Sequence, residues 1–114
     1  MSESDRILWE RWEQKRAAEA FRLLAMKYAA MVYGTALRLL RNAAEAEEVA
    51  QDCFERLAAQ RKGPKEHLGA WLHRVATNRA VDVVRSSQRR KTREARYVAE
   101  QGPAFETTWD DVHE

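Results

Sequence analysis

Trp71, Arg74, Asn78, Asp82 and Arg85 recur at steps of three and four residues, and Arg89, Arg90 and Lys91 follow. Such spacing predicts a helix over 68–91 with these side chains along one side. An amide such as Asn78 can pair with a base edge. An aromatic ring such as Trp71 can stack on or wedge between bases. Arg74, Arg79, Arg85, Arg89 and Arg90 can hold phosphates. Together these groups have the chemistry of a nucleic-acid face, with Thr77 inside the same run. Two side chains have an equally simple structural reading. Trp71 can pack in a core, and Asp82 can pair with Arg79 or Arg85 at a spacing of three.

The opposite side of the same helix reads Leu68, Leu72, Val75, Ala76, Ala80, Val83 and Val84, a core-facing stripe. A second amphipathic helix is expected over 43–60. There Ala46, Val49, Ala50, Cys53, Leu57 and Phe54 face inward, and Glu45, Glu48, Asp52 and Glu55 line the other side. Stacked carboxylates repel by a few tenths of a kcal/mol per pair. They suit either a solvated face or the docking of a basic partner.

Nothing in the chain assembles an enzyme. The glycines are scattered rather than gathered into a phosphate loop, and Cys53 sits on an apolar face without a base. His67 and His73 lie six apart, a poor spacing for joint ligation, and no Cys or carboxylate completes a metal site. No catalytic residue, metal or cofactor is assigned.

The elements that must position these faces are helical throughout. With 45% hydrophobic residues, 4 Gly and 2 Pro in 114 residues, the chain reads as one all-α domain, a compact bundle of three to four helices without a sheet. Ser4 and Asp5 are the candidate caps of a first helix from Arg6, with Ile7, Leu8 and Trp12 on its apolar face and Trp9 offset. Helical periodicity continues through Phe21, Leu24, Tyr28, Val32, Ala36 and Leu39, as one bent helix or two, and Gly34 is the candidate for a close helix crossing. Asn42 is placed to cap the next helix. Gly63-Pro64 breaks the pattern before 68, with His67 or Glu66 as cap, and Gly102-Pro103 is a second break before an acidic tail that reads as a linker or disordered end. No apolar run approaches the roughly 20 residues of a membrane span. The charged N-terminus does not resemble a signal peptide. A lone cysteine fits a reducing, cytoplasmic setting.

Charge is divided along the chain. Residues 61–96 hold eleven Lys/Arg against three acids, a local +8, and the remainder holds nine against fifteen, a local −6. The division points to a polyanion-binding part and an acidic part with another partner.

Taken in order, Glu47-Glu48-Val49-Ala50-Gln51-Asp52-Cys53-Phe54, then Ala70-Trp71-Leu72-His73-Arg74-Val75-Ala76-Thr77-Asn78, then Asp82 and Arg85, resemble the second conserved region of bacterial RNA polymerase sigma factors of the extracytoplasmic-function (ECF) type. The resemblance spans about 19–92. It implies a promoter-recognition domain over 19–96, preceded by an N-terminal helical extension (1–20) and followed by an acidic tail (97–114). Glu48, Gln51, Asp52 and Phe54 would then dock on the clamp helices of the largest catalytic subunit of the polymerase core. Trp71, Arg74, Thr77, Asn78, Arg79, Arg85, Arg89 and Arg90 would contact the non-template strand of the minus-ten element and hold a flipped base. An anti-sigma factor is a further partner of such proteins, and no membrane is implied. Two departures stand out. The 61–67 loop lacks the aromatic residue usual before this helix. A helix-turn-helix domain for the minus-thirty-five element is absent, so the chain reads as an excised domain whose tail begins the linker, or as an unusual short protein. The alternative is a helical DNA-binding repressor or architectural domain without a polymerase partner; a pure interaction module, its basic helix meeting an acidic protein, is a third class.

Overall fold

A computed structural model describes residues 2–60 and 67–113, with side chains described to residue 100. The described residues form four helices, α1 (Glu3–Lys15), α2 (Ala18–Leu40), α3 (Ala43–Ala58) and α4 (Leu68–His113). The described residues contain no strand, as the all-α reading requires. The Gly63-Pro64 break and the Glu66 cap lie outside the described residues.

Two units divide the chain, Met1–Asp82 and Val83–Glu114. The first is a helical bundle whose wholly buried side chains include Leu24, Val32, Ala36, Ala46, Cys53, Leu57, Leu68, Leu72, Ala76 and Ala80. Each helix contributes at spacings of three and four, so the apolar stripes read from sequence on α3 and α4 become the core. Val75 and Ala50 are only half-buried. In the second unit Val83 and Val84 are also half-buried, and residues 88–100 are exposed throughout.

The first helical stretch is two helices, not one bent one. Arg16 takes a left-handed conformation (φ 50°), and its N–H bonds Trp12 O at 2.9 Å while the Ala17 N–H reaches Arg11 O at 3.4 Å. That pair of bonds satisfies the last carbonyls of α1 and turns the chain into α2. Arg41 ends α2 in a left-handed conformation too, at φ 55°, with the single bond from its N–H to Leu37 O at 2.8 Å. Asn42 then caps α3 as expected, its Oδ1 accepting the Glu45 N–H at 2.9 Å.

The start of α1 differs from the expected one. Ser2, not Ser4 or Asp5, is the cap, its Oγ accepting the Asp5 N–H at 3.2 Å. Asp5 is instead wholly buried and joins α1 to α2. Its carboxylate accepts from Lys27 Nζ at 2.7 Å and from the Tyr28 hydroxyl. Burial alone would push the Asp5 carboxyl up. The hydrogen bonds from Lys27 and Tyr28, with the Lys27 charge, outweigh it and hold the group below the usual carboxylate range. Burial and the same carboxylate push Tyr28 up to about 12.

With Asp5 inward, Trp9 one turn on is also inward and 3% exposed, while Ile7 is 44% exposed. The apolar face is therefore rotated from the Ile7-Leu8-Trp12 face expected from sequence. Trp12 lies against Phe21 with ring centroids 4.8 Å apart, so both indoles serve the domain's own packing.

Three further expectations change. Gly34 has open space around it, and a methyl there would meet only the flexible end of Arg38 at 3.6 Å. The close approach is at Gly69, where a methyl would stand 3.1 Å from the Tyr28 ring, so α4 enters the bundle against α2 at a residue that needs no side chain. Gly102-Pro103 does not end α4, whose backbone stays helical to His113. Finally, α2 is by length and composition apolar enough to cross a membrane, contrary to the sequence reading. It also carries exposed Arg22, Lys27 and Arg38 and packs against α1 and α3.

Candidate nucleic-acid and partner interfaces

Of the acidic face expected on α3, Glu48 and Glu55 are exposed, while Glu45 and Asp52 are half-buried. Ala46, Val49, Cys53 and Leu57 are buried on one side of α3, and this fixes Glu47, Glu48, Gln51 and Glu55 as exposed on the other. Phe54 is half-buried, consistent with a residue that supports the face from beneath. Burial, and then the neighbouring Asp52 charge, push the Cys53 thiol up to about 11 against the partial opposition of Arg56 and Arg79. That thiol is inert core, as its place on the apolar stripe predicted.

The first turn of α4 is set by His67. Its Nδ1 accepts the Gly69 N–H at 3.1 Å and its carbonyl accepts the Trp71 N–H at 3.0 Å, so the weak cap named from sequence is the one used. With Leu68, Leu72, Ala76 and Ala80 anchored in the core, Arg74 and Asn78 project outward and are exposed. Trp71 and Thr77 are half-buried. Trp71 is thus part packed and part accessible.

Arg79 is placed differently from a free phosphate contact. Its Nε lies 2.8 Å from Asp52 Oδ2, and Arg56 Nε lies 3.1 Å from the same oxygen. The two side chains of the Asp52–Arg79 pair are 32% and 34% exposed. The Arg79 Nε–H is not aimed at the oxygen and makes no hydrogen bond, so this is an ion contact rather than a bidentate fork. The structure therefore pairs one residue assigned to the polymerase face with one assigned to the DNA face. Asp82, expected as a partner of Arg79 or Arg85, is exposed, and Arg79 pairs with Asp52.

In the second unit, Arg85, Arg89 and Arg90 are exposed as expected. Sequence reasoning stopped one turn early. Arg93 and Arg96 are exposed on the stripe of Arg85 and Arg89, with Gln88 and Thr92 between them. The spacing 85, 89, 93, 96 was the signal that would have found them.

The sequence that builds these two helices has relatives among known proteins. The chain belongs to the sigma-70 region 2 family, whose model matches residues 24–90. It is similar to the ECF RNA polymerase sigma factor SigK of Mycolicibacterium vanbaalenii, with 38% identity over 102 residues, 86% of this chain and 52% of that protein. The protein of the same name from Mycobacterium sp. strain KMS is 38% identical over 88 residues, covering 75% of this chain and 46% of its own length. The one from Mycobacterium ulcerans is 37% identical over 84 residues, covering 71% and 45%. The chain spans about half the length of the curated relatives it matches. No solved structure matches it.

Proposed function

We propose that this chain is the promoter-recognition domain of an ECF sigma factor, acting in the cytoplasm without chemistry of its own. The acidic face of α3, through Glu48, Gln51 and Asp52 with Phe54 beneath, docks on the basic clamp helices of the largest subunit of core RNA polymerase. The outer face of α4 takes the non-template strand of the minus-ten element. Asn78 reads a base edge, Trp71 offers a ring for stacking, and Arg74 and Thr77 lie beside them. Arg85, Arg89 and Arg90 of the second unit hold phosphates. An anti-sigma factor is a further candidate partner. The observation that carries the reading is the exposure of Asn78 on a helix whose opposite side is locked in the core, next to a helix whose outer face is acidic.

The test is a pull-down with core polymerase. Glu48→Arg combined with Asp52→Arg should abolish capture, because each substitution sets like charge against the basic clamp surface. A repressor or architectural domain would never have been captured, and would keep its DNA affinity through the same change. An interaction module meeting an acidic protein would show no preference among minus-ten oligonucleotides.

A further inference from the structure

We propose that Asp5 and Tyr28 are positioning residues for the strand-binding face: together they set where the first turn of α4 presents Trp71. The inference rests on the function proposed above, in which the Trp71 ring stacks on a base. Three helices meet at this point. The wholly buried Asp5 carboxylate of α1 accepts the hydroxyl of Tyr28 on α2. The Tyr28 ring in turn lies against Gly69 in the first turn of α4, where a methyl would stand 3.1 Å from ring carbon Cε1. Asp5 lies outside residues 24–90, which match the family model, whereas Tyr28, Gly69 and Trp71 lie inside them. The anchor thus comes from a part of the chain beyond the match.

Three features make this contact a setting for Trp71 rather than general packing. The Tyr28 ring is tied at its far end to a carboxylate that Lys27 Nζ also holds, at 2.7 Å. The ring meets a residue without a side chain, so its position is passed to the α4 backbone and cannot be absorbed by a change of rotamer. Gly69 and Trp71 also share one reference point. The Gly69 N–H donates to His67 Nδ1 at 3.1 Å, and the Trp71 N–H donates to the His67 carbonyl at 3.0 Å. A shift of this turn therefore carries the half-buried indole with it. Asn78 is held differently. It stands roughly 13 Å further along the helix axis than Gly69. Leu72 and Ala76, both wholly buried, lie between them and fix that part of α4 independently.

The experiment uses the full chain and a fluorescent single-stranded minus-ten oligonucleotide. Binding is measured by anisotropy at a temperature where circular dichroism shows every variant folded. Tyr28→Phe keeps the ring and removes only its tie to Asp5. It should weaken binding about three- to tenfold, part of what one stacked base contributes. Asp5→Ala should weaken it by the same factor, and the two changes together by no more than either alone. Two backgrounds separate positioning from stability. In Trp71→Ala, itself weakened, Tyr28→Phe should have no further effect; in Asn78→Ala it should keep its full factor. A merely structural role would act equally in both. Gly69→Ala, which presses a methyl on the ring and leaves the tie to Asp5 in place, should show the same dependence on Trp71. The inference is overturned if Tyr28→Phe binds as tightly as wild type, if its effect persists in Trp71→Ala, or if Trp71→Ala itself costs nothing. The promoter reading fails separately, if the wild-type chain shows no preference among oligonucleotides of different sequence. Stacking on an aromatic ring tolerates any base, so the comparison of variants then still decides the positioning role.

Discussion

Asp5 offers the most demanding check on the packing described here. Replacing it with alanine leaves two donors, the Lys27 ammonium and the Tyr28 hydroxyl, without the acceptor they share. Hydrogen bonds to a charged group contribute about 1.5–3 kcal/mol each. The Lys27 side chain is 45% exposed, so its ammonium can turn to water and much of its share is recovered. Tyr28 is half-buried and recovers less. The net cost is about 2–3 kcal/mol, a melting-temperature drop on the order of 10 °C for a domain of this size. Urea and thermal unfolding at neutral pH, followed by far-UV circular dichroism, measure it.

The pH dependence gives that test its sign. The Asp5 carboxyl is held below its ordinary value of 3.8, so its stabilisation is present above that pH and is lost as pH falls through the folded-state value. The gap between wild type and Asp5→Ala should close in acid. Tyr28 acts at the other end of the scale. Its hydroxyl is raised from 10 to about 12, so the stability it contributes is complete below pH 10 and is lost between 10 and 12, a loss that Tyr28→Phe should not show. A cost below about 0.5 kcal/mol for Asp5→Ala, or a gap that persists unchanged in acid, would refute the latch between α1 and α2.

Two further outcomes follow from the faces of α4. Asn78→Ala should cost about 1–3 kcal/mol in discrimination between matched and mismatched minus-ten oligonucleotides. Capture by polymerase should be unaffected; equal affinity for both oligonucleotides in the wild type would remove Asn78 from the site. Arg93→Gln with Arg96→Gln should lower the salt dependence of duplex binding by about 2, since each arginine accounts for roughly 0.9 of slope. An unchanged slope would return these arginines to the status of a solvated face.

Much of this was legible in the sequence because it depends on local periodicity. Leu68, Leu72, Ala76 and Ala80 recur at helical steps, so their burial and the outward direction of Asn78 follow from 3.6 residues per turn. The same logic gave α3 its acidic face, and Asn42 its place as a cap, since an amide before a helical run has few other uses. The two ordered motifs in 46–57 and 67–90 were enough to point to the family.

What the tertiary structure decided are contacts between residues far apart in the chain. Asp5 reads as a helix cap until α2 brings Lys27 and Tyr28 to it, 22 and 23 residues on. That contact rotates α1 and turns Trp9, rather than Ile7, into the core. Gly34 looks like a crossing point until the approach of α4 is seen at Gly69. Asp52 and Arg79, 27 positions apart and assigned to different partners, are found to be each other's. Periodicity fixes which side of a helix faces inward. Which charge meets which across two helices is set by how they pack, and no local spacing encodes that.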